Sequence, residues 1–186
     1  MPAAFAAGIH KEDSRMKILI AYSSKSGTVK ECAESLAEKL APNEITLADL
    51  DSECPDVAAF DIAVVGGYVR MGKLSKKMTH FIADNESILR ETMHAFFLCC
   101  GLPESTEYYF EKAVSRDLLN SSISTVCFGG DLRVNKQKGF DKLVAKMIIR
   151  EIKNNNIEED MNEEMAIPAV LPENISRFAD EIRHSF

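Results

Sequence analysis

Several features that would assign a function at once are missing from this chain. None of its apolar runs approaches the roughly 18 residues that a membrane-spanning helix needs. Its five cysteines, Cys32, Cys54, Cys99, Cys100 and Cys127, form no CxxC pair and keep no ligand spacing with histidine. They therefore read as reduced, mostly buried thiols of a cytoplasmic protein, and no metal site is expected. Basic residues are in deficit: 22 Lys and Arg stand against 29 Asp and Glu, a net charge of −7, which argues against nucleic acid as a partner. A basic segment ahead of the first apolar stretch is absent too, which speaks against a signal peptide. There is no GxxxxGK[ST] loop, no GxGxxG fingerprint, no internal repeat and no visible nucleophile–base–acid triad. His80 and His94 have no partners at ligand spacing and read as structural.

What is present describes one globular domain. Hydrophobic residues make up 46% of the chain, enough for a real core. Residues 1–15, "MPAAFAAGIHKEDSR", are read as a mobile N-terminal extension, and the domain as 16–186, with Met16 directly ahead of the first strand. Short apolar runs without helical period predict strands at 17–23, 44–50, 61–67, 94–101 and 124–130. Between them the apolar spacing turns helical. Val29, Cys32, Ala33, Leu36, Ala37 and Leu40 share one face, and Pro42 follows as a stop signal. Met78, Phe81 and Ile82 mark a second helix, residues 104–119 a third, Phe140 to Ile148 a fourth and Glu173 to His184 a fifth. The segment 154–164 reads as a polar surface loop. Strands alternating with helices predict a three-layer α/β domain built on a parallel sheet, with ligands bound beyond the carboxyl ends of the strands.

The loops at that end are 23–28, 66–74 and 99–104. The first, "SSKSGT", leaves a strand and enters a helix. Backbone amides and the positive end of the helix dipole converge there, which suits a phosphate. Ser24, Ser26 and Thr28 add hydroxyls, and Gly27 admits a positive φ. A plain helix cap uses the same residue types, so both readings stand. A phospho-acceptor domain of similar layout needs an Asp closing the third strand, where this chain has Val65-Gly66-Gly67-Tyr68.

"SSKSGT" after a first strand resembles the phosphate loop of the flavodoxins, [ST]-x-[ST]-G-x-[ST]. Ser24, Ser26 and Gly27 match, and Val29 replaces the last hydroxyl. The resemblance implies a five-stranded parallel sheet of order 2-1-3-4-5 with FMN at the switch between strands one and three. "GGYVRMGKLSKK" (66–77), "GGDLR" (129–133) and "FDKLVAKMIIREI" (140–152) are similar to the menaquinone-dependent protoporphyrinogen oxidases, over nearly all of residues 16–184. The implied cofactor contacts are Ser24, Lys25, Ser26, Gly27, Thr28 and Val29 at the phosphate. At the ring they are Gly67, Tyr68, Val69, Arg70, Met71 and Gly72 on one side and Cys100, Gly101 and Leu102 on the other. Gly66, Gly67 and Gly72 are expected to give the backbone a tight path against the ring. Arg70 is the candidate catalytic cation, with Lys73 beside it.

The function implied is an FMN-dependent oxidoreductase that passes electrons from a reduced small molecule to a quinone or a partner protein. An electron carrier without its own substrate is the alternative, and a domain that has lost flavin is the third reading. Leu102 stands where carriers often place an aromatic. The stretch 133–153 is rich in Lys and Arg. Its helix at 140–152 is read either as a covering helix with a solvated basic face or as a peripheral contact with the inner face of the membrane.

Overall fold

The computed structural model describes residues 15–101, 103–130 and 169–186. Leu102, the expected helix at 140–152 and the N-terminal extension up to residue 14 lie outside the described residues. Five parallel strands carry the domain: β1 (Lys17–Tyr22), β2 (Glu44–Asp49), β3 (Ile62–Arg70), β5 (Met93–Cys99) and β6 (Thr125–Cys127). Their spatial order is β2-β1-β3-β5-β6. A two-residue strand, β4 (Lys73–Leu74), lies off this path and pairs antiparallel with the end of β3. Leaving β4 aside, the sheet has the expected order. The switch point lies between β1 and β3, which run in register from Ile18↔Ile62 to Tyr22↔Gly66.

Alternation along the strands divides the core into two layers. Ile18, Ile20, Val64, Ala95 and Phe97 face α1 (Thr28–Lys39) and α6 (Pro172–Arg183), meeting Cys32, Leu36, Phe178 and Ile182. Leu19, Ala21, Val65, Phe96 and Leu98 face the other layer. That layer is built by α2 (Lys76–Asp84), α3 (Glu86–Glu91), α4 (Thr106–Glu111) and α5 (Arg116–Ser121). Both faces of the central strands are covered, which is why they read as unbroken apolar runs. In the first layer Phe97 stacks on Phe128 at 4.6 Å between centroids, and Phe178 meets Phe128 edge-on at 5.3 Å. Pro172 occupies the first turn of α6, where its missing N–H costs no hydrogen bond.

Three expectations need correction. The stretch 66–74 is not a loop. β3 runs on to Arg70 and returns through β4, so the segment is a β-hairpin. The helix expected over 104–119 is two short helices, α4 and α5, and Ser115 in extended geometry begins the second. Phe110, Val114 and Leu118 nonetheless bury on one side as the periodicity implied. The last strand is shorter than 124–130, covering Thr125–Cys127. Beyond it Gly129 turns at φ 76° and bridges to Val170, while the Leu171 amide donates to the Phe128 carbonyl at 2.8 Å.

Candidate functional site

The carboxyl ends of β1, β3, β5 and β6 bring together the loops singled out in the sequence. Ser23 still belongs to the sheet: it is buried and its amide donates to the Gly66 carbonyl at 3.1 Å. The chain then turns through Ser24, Lys25 and Ser26 into Gly27, which starts α1 in the left-handed region at φ 93°. A Cβ there would find only the Glu31 carboxylate, at 3.8 Å. Conformation, not crowding, is what asks for glycine at this position.

The capping and anion-binding readings divide the loop between them. The Lys30 amide donates to the Ser24 hydroxyl at 3.3 Å, so Ser24 does cap the helix. The Glu31 amide takes the Gly27 carbonyl at 3.0 Å as the first helical bond. Among the described residues the amides of Ser26, Gly27, Thr28 and Val29 have no backbone acceptor. The Ser26 and Thr28 hydroxyls lie 3.4 Å apart beside them. This set of donors at a helix start fits a phosphate monoester. Val29 is 2% exposed and packs into the α1–α6 layer, so it offers an amide and no hydroxyl. Opposing charge lies close. Asp51 accepts from the Ser23 hydroxyl at 3.3 Å, and burial followed by the carboxylates of Asp49, Glu34 and Glu53 pushes the Tyr22 phenol up.

The hairpin is a different kind of structure. Met71 (φ 51°) and Gly72 (φ 73°) form a two-residue turn with both central φ angles positive, the geometry whose twist matches paired strands. Met71 is 76% exposed at the tip. Arg70 and Lys73 stand directly opposite one another across the turn. Both are exposed, as are Lys76 and Lys77 at the start of α2. Alternation sends Tyr68 to the α1–α6 layer and Val69 to the other, so the two do not border one surface. Gly66 and Gly67 are buried. A Cβ on Gly66 would fall 2.0 Å from the Phe97 ring, and one on Gly67 would lie 2.7 Å from Met78 Sδ and 2.8 Å from Ser75 Oγ. Internal packing alone requires both glycines.

Across the switch point Cys100 is buried, with its backbone against Gly130, where a Cβ would come within 2.7 Å of the Cys100 carbonyl carbon. Gly101 is half-buried beside it. Sequence reasoning took the pattern at 129–130 into account but assigned it no role, and it passed over Ser75. That hydroxyl is buried next to Gly67, without a hydrogen-bond partner among the described residues. The one signal for it was its place at the start of a helix after the hairpin. His94 is structural: its Nδ1 lies 2.9 Å from the Thr92 carbonyl and its Nε2 2.9 Å from that of Leu118. A groove of about 640 Å3 is lined by Thr106, Phe110, Arg116 and Thr125 among others, on α4, α5 and the first residue of β6. Among the described residues no cluster of three or more His, Cys, Asp or Glu is placed to hold a metal ion, and no helix is long and apolar enough to cross a membrane.

The order of the sheet agrees with a comparison by family. The model of the flavodoxin domain matches residues 19–159. The chain belongs to the flavodoxin domain family. Within it, protoporphyrinogen IX dehydrogenase [quinone] of Escherichia coli (strain K12) is 26% identical over 179 residues, covering 91% of this chain and 96% of that one. Among solved structures, a short-chain flavodoxin associated with a non-canonical PDU bacterial microcompartment matches with a TM-score of 0.53 at 15% identity. It covers 91% of this chain and 98% of its own, and at that identity the likeness is one of fold. The sheet order and the switch point of this domain are thus those of a flavodoxin.

Proposed function

We propose that this flavodoxin domain binds FMN and is an oxidoreductase of the protoporphyrinogen-oxidase type, taking electrons from a reduced small molecule and yielding them to a quinone or a partner protein. The observation that supports the reading is the 26% identity to the Escherichia coli protoporphyrinogen IX dehydrogenase [quinone] over 91% of this chain and 96% of that one. When bound, FMN supplies the redox chemistry.

The residues then have separable tasks. The amides of Ser26, Gly27, Thr28 and Val29 and the hydroxyls of Ser26 and Thr28 hold the terminal phosphate. Lys25, exposed on the loop, adds positive charge nearby. The hairpin from Gly67 to Gly72 and the backbone at Cys100–Gly101 flank the ring, and Leu102 is assigned to the same side as Cys100. Arg70 and Lys73 stand opposite each other across the hairpin turn, both exposed. An anionic substrate such as a tetrapyrrole propionate meets these cations through charge-assisted hydrogen bonds. Arg70 is therefore the residue assigned to substrate.

The second reading is an electron carrier that meets only other proteins. What favours it is the acidic end of β2, where Asp49, Asp51 and Glu53 lie beside the phosphate loop. Anaerobic mixing of the FMN-loaded protein with protoporphyrinogen IX separates the two. Bleaching of the flavin absorbance that Arg70→Ala slows is the expected result. A flavin that stays oxidised with porphyrinogen yet exchanges electrons with a reductase leaves the carrier reading in its place.

A further inference from the structure

Four of the five cysteines are buried, and they fall in two places that differ in chemistry. Cys32 and Cys99 lie in the layer under α1, packed among aliphatic and aromatic side chains. A hydrogen bond with Cys32, followed by burial, holds the Cys99 thiol well above its ordinary range. Cys100 and Cys127 lie on the opposite face, at the carboxyl ends of β5 and β6. Their sulfurs are 3.6 Å apart. The Gly129 amide, turned back by its left-handed φ, donates to Cys127 Sγ at 3.3 Å. The hydrogen bond with the Cys100 thiol, and after it those with the Cys100 and Gly129 backbone, bring the Cys127 thiol down to about 7, against the effect of burial. One sulfur of this pair is thus set up as a nucleophile and the other as its neighbour in line to react.

We propose that Cys100 and Cys127 form a peroxide-oxidisable dithiol that closes into a disulfide. Small hydroperoxides are the oxidant class because the pair is only 7% and 4% exposed, which excludes bulky disulfide reagents. In the first step the Cys127 thiolate attacks hydrogen peroxide. An S–O bond forms, the O–O bond breaks, and the leaving hydroxide takes a proton to become water. In the second step the Cys100 sulfur attacks the sulfenic sulfur of Cys127. The S–S bond forms, the S–O bond breaks, and the hydroxyl leaves as water with the Cys100 proton. Two thiols lose two electrons and one peroxide becomes two waters. The closed bond ties the end of β5 to the end of β6, beside Gly101 and Gly129. The chemistry needs no bound flavin and stands apart from the reading above.

The test uses the full chain, freed of flavin, with stoichiometric hydrogen peroxide, intact mass and peptide mapping. Loss of two hydrogens, mapped to a Cys100–Cys127 bond and reversed by dithiothreitol, is the expected result. The rate of loss falls as the pH drops below about 7, where the Cys127 thiolate is lost. Cys100→Ser leaves a sulfenic acid on Cys127 that dimedone traps, and Cys127→Ser loses both the disulfide and the trapping. The Cys32→Ser, Cys99→Ser double variant still closes the bond. A chain that keeps all five thiols under peroxide overturns the proposal, and so does oxidation confined to Cys54 or to the Cys32–Cys99 pair.

Discussion

The turn at 23–28 and the hairpin that follows Gly66 and Gly67 both extend from the carboxyl ends of central strands, yet their glycines answer to different forces. At Gly27 there is open space where a side chain would stand, and the backbone is left-handed. At Gly66 and Gly67 the space is already filled by Phe97, Met78 and Ser75. The first glycine leaves room beside amides that have no backbone acceptor among the described residues. The other two leave room for the fold itself. Glycine at the end of a strand is therefore weak evidence for a ligand until its surroundings are known, and of these three only Gly27, in the turn at 23–28, has side-chain space that the fold leaves open.

Substitutions break the comparison in order of size. Gly66→Ala drives a methyl into the Phe97 ring and destabilises the fold by about 3 kcal/mol, as severe overpacking does. A thermal melt then shows a midpoint lower by roughly 6–12 °C for a domain of this size. Val29→Thr costs about 1–2 kcal/mol by burying a hydroxyl in the α1–α6 layer, read as a lower melting midpoint, and leaves FMN affinity in a fluorescence titration unchanged because the position offers its amide and not its side chain. Met71→Asn, which places an Asn-Gly pair in the hairpin turn, relieves a side chain held at φ 51° and stabilises by about 1 kcal/mol in urea unfolding.

The smallest effect lies away from both loops. Glu86 accepts from Ser115 Oγ at 2.7 Å and pairs with Arg90 at 2.7 Å, joining α3 to α5. The Ser115 hydrogen bond, then that from Arg90, holds its carboxyl below the usual range. Its contribution is complete at neutral pH, above the unfolded value, and is lost as pH falls through the lowered folded value. Glu86→Gln makes the acid limb of the melting-point curve shallower, with little change at neutral pH.

The parallel sheet and the helix after the first loop were legible because strands buried on both faces write apolar runs, and because α1 and α6 write clean periods; the order of the strands came from the resemblance to the flavodoxins. Ser24, Ser26 and Gly27 were legible as a set because a strand-to-helix turn has few chemical solutions. The hairpin was not. Its turn uses Met71 where the pairing geometry favours Asn or Asp, so the residue type gave no signal. The break between α4 and α5 was hidden because Phe110, Val114 and Leu118 keep helical spacing across it. The closeness of Cys100 to Cys127 comes from adjacent strands 27 residues apart and has no local sequence signature.

The central claim is that loop 24–29 grips a phosphate, and its most direct test compares FMN with riboflavin, which has the same ring and no phosphate. Fluorescence titration of the flavin-free protein gives both affinities, for the native chain and for Gly27→Val. Two or more amide bonds to a charged group predict FMN binding roughly a hundredfold tighter than riboflavin. Gly27→Val brings FMN to the riboflavin level and costs about 1–2 kcal/mol of fold stability. Equal affinity for FMN and riboflavin in the native chain, or an unchanged preference in Gly27→Val, contradicts the claim.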